Sequence, residues 1–227
     1  MVDILAFGAH PDDIEFGCGG ILAKMSKRGA SIVLVDLTRG EKGTNGTASI
    51  RQKEAEEAAK IIGAPRLFLD FADCELQDNY ESRLKIVEVI REYKPKLVLA
   101  PDVQYNQNHP DHVACGMMVR AACRFARFSK ILPDLPIHRV EGVLHYPNAS
   151  NDRVDFIVDI SQHVEVWKEM IDAHSSQMQT IDYKERTLRI ASRLGTLNGC
   201  DFAQGLIKEN PVIIDDVMTI SKGTKEI

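Results

Sequence analysis

Residues 4–37 read ILAFGAHPDDIEFGCGGILAKMSKRGASIVLVDL, and this stretch decides the fold. Ile4 to Gly8 is a short apolar run that reads as a buried strand. Ser31 to Leu37 is a second strand, rich in β-branched residues. Between them the spacing predicts a helix over roughly Gly19 to Arg28, stopped by Gly29 as a C-cap. The alternation continues outward. A polar loop, Thr38 to Thr47, leads to a helix from Ile50 to Ile62, with Ser49 and Gln52 at capping-box spacing and Gly63 closing it. Arg66 to Asp70 reads as a third strand. Glu81 to Tyr93 reads as a helix with Leu84, Val87 and Ile90 on one stripe, and Lys96 to Ala100 as a fourth strand. Apolar strands separated by helices belong to an α/β fold, here a Rossmann-like, doubly wound, mostly parallel sheet with helices on both faces. Right-handed crossovers favour the order 3-2-1-4, which sets strands 1 and 4 side by side at the topological switch point.

The second half is less regular. His112 to Phe128, His163 to Ser175 and Tyr183 to Leu194 read as helices. Val140 to Tyr146, Asp155 to Ile160 and Pro211 to Asp215 read as strands. Neither a repeat nor a linker interrupts the chain, so a single domain over residues 1–227 is expected. Of the 227 residues 44% are hydrophobic and 27% charged, the balance of a globular protein. The net charge of −5 argues against a nucleic-acid partner. No apolar run approaches the roughly 18–20 residues that span a bilayer, and the start of the chain lacks a basic leader, so no membrane partner is expected. The five cysteines, an odd number without CxxC spacing, suit free thiols in a reducing cytoplasm.

Two polar clusters each follow a strand. AHPDDIE, Ala9 to Glu15, follows strand 1, and NHPDH, Asn108 to His112, follows strand 4. The predicted order places these loops beside each other. Imidazole and carboxylate ligands suit zinc and other divalent first-row metals, and a catalytic zinc takes three protein ligands and keeps one position open. His10, Asp13 and His112 supply such a set. Asp12, beside Asp13, is placed to take a proton from water, and His109 to meet a developing oxyanion in its protonated form. Gly17-Cys18-Gly19-Gly20 lies where a dinucleotide-binding protein keeps its glycines, but the spacing is not GxGxxG, which favours close packing over cofactor binding.

AHPDDIE with HPDH about a hundred residues on resembles the PIG-L/LmbE-like family of zinc-dependent N-acetylglucosamine deacetylases. The stretch Asp36 to Thr47, DLTRGEKGTNGT, looks most like the bacillithiol-biosynthesis branch, whose substrate is N-acetylglucosaminyl malate. The resemblance implies a Zn2+ cofactor, with Fe2+ as another candidate, held by His10, Asp13 and His112. It implies Asp12 as general base, His109 as oxyanion stabiliser and Asp111 as a carboxylate orienting a neighbouring imidazole. It implies a small-molecule sugar conjugate as substrate. Relatives form hexamers, so a closed homo-oligomer is expected. Some relatives carry Arg immediately before HPDH; here Asn108 stands there, and Tyr105 offers a polar contact instead. Arg51 falls in the first turn of its helix, a poor place for a cation. Relatives keep an Arg there for substrate binding, so Arg51, assisted by Arg39, is expected to hold a substrate carboxylate. His174 lies where relatives often have Tyr, which suggests a pocket role.

Overall fold

The computed structural model describes residues 1–104, 109–147, 154–197 and 199–218. Its strands are β1 (Ile4–Gly8), β2 (Ile32–Asp36), β3 (Arg66–Phe68), β4 (Leu97–Pro101), β5 (Gly142–Tyr146), β6 (Phe156–Asp159) and β7 (Ala203–Lys208). Its helices are α1 (Asp13–Lys27), α2 (Ala48–Ile61), α3 (Tyr80–Tyr93), α4 (Pro110–Phe125), α5 (Val164–Asp172) and α6 (Tyr183–Thr196). The sheet order is β3-β2-β1-β4-β5-β7-β6. β3 to β5 run parallel, and β7 pairs antiparallel with both β5 and β6. The expected 3-2-1-4 order is therefore the parallel core of a larger mixed sheet.

Alternation along the strands fills two cores. Ile4, Ala6 and Leu34 face α1 and α5, where Leu22 and Trp167 are buried. Leu5, Phe7 and Val35 face α3 and α4, where Val87, Ile90 and Met118 are buried. This two-sided burial is why the strands read as continuous apolar runs.

The expected boundaries need three corrections. α1 begins at Asp13, not near Gly19, because Asp13 and Glu15 sit favourably in its first turn. The glycines that obscured this start let the helix lie close to the sheet: a Cβ at Gly17 would fall 2.2 Å from the Tyr146 ring. Thr47, not Ser49, caps α2, its hydroxyl accepting from the Ile50 N–H at 3.3 Å. The last strand is Ala203–Lys208. Pro211–Asp215 forms no strand, and Ile213 is 92% exposed.

Candidate active site

The loops after β1 and β4 meet at the carboxyl ends of those paired strands. The early start of α1 places Asp13 in its first turn and Asp12 at its N-cap, with φ at 121°. A non-glycine residue in that region is strained, and such strain gathers at sites whose surroundings over-determine it. On the other loop His109 is the N-cap of α4 and Pro110 its first residue, so His112 also lies in a first turn.

Donor atoms of His10, Asp13 and His112 all lie within 4.8 Å of one another. His112 Nε2 is 2.9 Å from Asp13 Oδ1, and His10 Nδ1 is 3.4 Å from Asp13 Oδ2. The His10 backbone N–H donates to Asp13 Oδ2 at 2.8 Å, fixing the loop. The far side of the His10 ring meets two more carboxylates: Nε2 lies 3.0 Å from Asp73 Oδ1 and 3.4 Å from Asp111 Oδ2. Burial would lower the His10 pKa, but hydrogen bonds to Asp111, Asp13 and Asp73 outweigh it and raise it to about 12.

Three carboxylates, Asp13, Asp73 and Asp111, thus face two imidazoles. Their ion pairs among the described residues are all with histidine, none with Lys or Arg. Converging imidazole and carboxylate donors with surplus negative charge suit a divalent cation. A His ligand whose second ring nitrogen meets a carboxylate is the usual supporting arrangement in such sites.

Asp12 is buried at 8% exposure beside this set. Burial pushes its carboxyl up to about 6, against the pull of Arg51. Arg51 is itself only 5% exposed. Its Nη2 donates to Pro11 O at 2.8 Å and to Asp12 Oδ2 at 3.1 Å, and its Nη1 to Gly40 O at 3.0 Å. Gly40 (φ 64°) is required there, because a Cβ would lie 2.1 Å from the guanidinium. Arg51 therefore has one anion inside the protein, Asp12, while it also lines the cavity and its Nε has no hydrogen-bond partner among the described residues. Arg39 does not line the cavity; it bonds Asp70 at 2.5 Å and also Gln52. Tyr105 and Asn108 lie outside the described residues.

His109 Nδ1 accepts the Asp111 backbone N–H at 3.2 Å. Burial, then the neighbouring His10 and His112, push its pKa down. The downward shift favours the neutral ring over the protonated form expected from the sequence, and in that neutral ring the bond at Nδ1 leaves the proton on Nε2. The Asp111 carboxylate faces His10 and accepts from Cys74 N–H at 2.8 Å and Leu76 N–H at 3.4 Å. His174 does not line the cavity but lies fully buried, its Nε2 3.3 Å from Glu15 Oε2.

Asp73 is the residue that sequence reasoning missed. It sits on the loop after β3, where one carboxylate oxygen faces His10 and the other accepts the Lys42 N–H at 2.7 Å. Its signal was present: a carboxylate just past the carboxyl end of a parallel strand, two places from strand 1 in the expected order. A cavity of about 680 Å³ opens over the group, walled by residues 42–45 and by Tyr183, Arg186 and Ile190 of α6.

Comparison with known proteins adds three likenesses and one family match. The family described as PIG-L, GlcNAc-PI de-N-acetylase, matches residues 5–123. Diacetylchitobiose deacetylase of Thermococcus kodakarensis is 33% identical over 222 residues, 89% of this chain and 81% of that protein. 4-Oxalmesaconate hydratase of Pseudomonas putida is 26% identical over 180 residues, 72% of this chain and 68% of that one. The crystal structure of a conserved protein from Thermus thermophilus superposes with a TM-score of 0.88 at 35% identity, covering 94% of this chain and 97% of that one.

Proposed function

The chain belongs to the PIG-L, or GlcNAc-PI de-N-acetylase, family, and on that premise we propose that it is a metal-dependent deacetylase of an N-acetylglucosamine conjugate. The observation that carries the reading is the convergence of His10, Asp13 and His112 beside a buried, otherwise committed Asp12. The substrate in this proposal is N-acetyl-α-D-glucosaminyl L-malate of bacillithiol biosynthesis, supported by the likeness of Asp36 to Thr47 to that branch. Zinc is the proposed metal, with Fe2+ as its alternative. Five free cysteines support a cytoplasmic location, and assembly as a homo-oligomer is part of the same proposal. Among the described residues no helix is long and apolar enough to cross a membrane.

His10, Asp13 and His112 would hold the ion, which supplies water activation and carbonyl polarisation when bound. The chain's own residues do the rest. Asp12, raised to about 6 by burial, accepts a proton from the attacking water and returns it to the amine nitrogen as the C–N bond breaks and acetate forms, and Arg51 fixes the carboxylate that does so. His109 directs its Nε2–H at the acetamide oxygen, held in that tautomer by the Asp111 N–H on Nδ1. Asp73 keeps His10 from rotating.

A second reading, hydration of a carbon–carbon double bond, draws on the hydratase relative; the same water activation serves both. The test is acetate and free amine measured from N-acetylglucosaminyl malate, diacetylchitobiose and methyl N-acetylglucosaminide, with 4-oxalmesaconate alongside. Stoichiometric acetate and amine are expected. Hydration of 4-oxalmesaconate without acetate from any sugar would overturn the deacetylase assignment.

A further inference from the structure

Four cationic side chains line the cavity: Lys42, Arg51, Arg186 and Arg193. Three are engaged. Lys42 pairs with Glu75, Arg51 with Asp12, and Arg193 also has a partner. Arg186 has no ion pair among the described residues. Two acidic neighbours in sequence are committed elsewhere: Asp182, the N-cap of α6, accepts the Glu185 N–H at 2.8 Å, and Glu185 pairs with Arg189 at 2.7 Å. Arg186 is therefore a guanidinium on the cavity wall with its hydrogen-bonding edge unspent. The cavity, about 680 Å³, falls within the roughly 300–1,000 Å³ of sites that hold drug-sized small molecules. The metal-ligating loops form one part of its lining and α6 another, so a conjugate whose acetamide lies at His109 has room for its aglycone beside α6.

Resting on the deacetylase reading, we propose that Arg186 binds an oxyanion, carboxylate or phosphate, on the aglycone and so makes the enzyme prefer anionic conjugates to neutral ones. Arg51, expected from its position to hold a substrate carboxylate, already faces Asp12; Arg186 offers, from a different element, a cation with no internal anion among the described residues. Guanidinium suits it through its fork of parallel donors. Because Arg186 is exposed, the contact is screened and salt-sensitive.

The test compares wild type, Arg186→Gln and Arg186→Lys on N-acetylglucosaminyl malate, N-acetylglucosamine 1-phosphate and methyl N-acetylglucosaminide. On the malate conjugate Arg186→Gln should lose about tenfold in kcat/KM, carried by KM, and Arg186→Lys should recover part of it. On the neutral glycoside the loss should stay within about twofold. A matching loss on the phosphate shows that charge is read; a loss on malate alone shows that a carboxylate is. Equal losses on charged and neutral substrates, or none, overturn the proposal. Calorimetry with the deacetylated product, glucosaminyl malate, needs no turnover. It should show the same tenfold weakening in Arg186→Gln, about 1.4 kcal/mol. If wild type releases no acetate from any sugar, the deacetylase reading falls and this binding ratio still decides Arg186. Failure of wild type to bind glucosaminyl malate also overturns the proposal.

Discussion

Asp13 and Glu15 leave the same first turn of α1 and meet opposite electrostatic surroundings. Behind the turn, Glu15 and Asp36 share one guanidinium: Arg66 lies 2.5 Å from Glu15 Oε1 and 2.6 Å from Asp36 Oδ2, with all three side chains at most 1% exposed. His174 adds an imidazole at 3.3 Å from Glu15. Burial would raise the Glu15 pKa, but Arg66 outweighs it and holds it near 2. In front, Asp13, Asp73 and Asp111 face imidazoles alone. The rear cluster carries its own permanent cation and is structural. The front cluster has none, and its chemistry calls for a cation from solution. Two acids of one motif, Asp13 and Glu15, thus divide into site and scaffold by the identity of the nearest cation.

The rear cluster gives the largest stability effect. Arg66→Met leaves buried Asp36 without its cation and Glu15 with the His174 imidazole alone, and should destabilise the fold by about 3–5 kcal/mol, roughly 6–20 °C in Tm for a chain of this size. A shift under about 2 °C would mean that the cluster is not the scaffold described. In front, Asp12→Asn keeps the metal donors intact and should lower kcat by roughly 10²–10⁴ with metal content unchanged. Near-normal turnover would assign the base elsewhere.

Arg51→Met tests Asp12, which stands beside the front cluster and owns a guanidinium. Losing a charged hydrogen bond of about 1.5–3 kcal/mol predicts a drop of about 10- to 150-fold in kcat/KM, equal on malate-bearing and neutral substrates. A loss confined to carboxylated substrates would restore Arg51 as a substrate clamp. Asp73→Asn should be the mildest, weakening metal affinity by about 10- to 100-fold while the fold and the other ligands remain; unchanged affinity would leave Asp73 a loop tether through Lys42 only.

The parallel core was legible in the sequence because strands buried on both faces leave continuous apolar runs, as Ile32 to Val35 does. β7 was not, because Gln204 and Gly205 break its pattern. Their reasons are tertiary: Gln204 Oε1 accepts the Ile21 N–H at 2.9 Å, and Gly205 makes room for Val154. Of the site, the histidines and aspartates of the two motifs could be read from spacing and strand order. The partner of Arg51 could not, since its contacts with Pro11 and Asp12 span about forty positions of chain. Nor could the commitment of Glu15 to Arg66, which depends on β3 lying two strands from β1.

Completion of the front cluster by an external cation can be measured by titrating metal-free protein with Zn2+ in buffers of different ionisation enthalpy. His10, raised to about 12 by its carboxylates, holds a proton that a metal must displace. The expected result is one ion per chain, at least one proton released per ion near neutral pH, and loss of the binding isotherm in Asp13→Ala. No stoichiometric binding, or an isotherm that Asp13→Ala leaves unchanged, would contradict it.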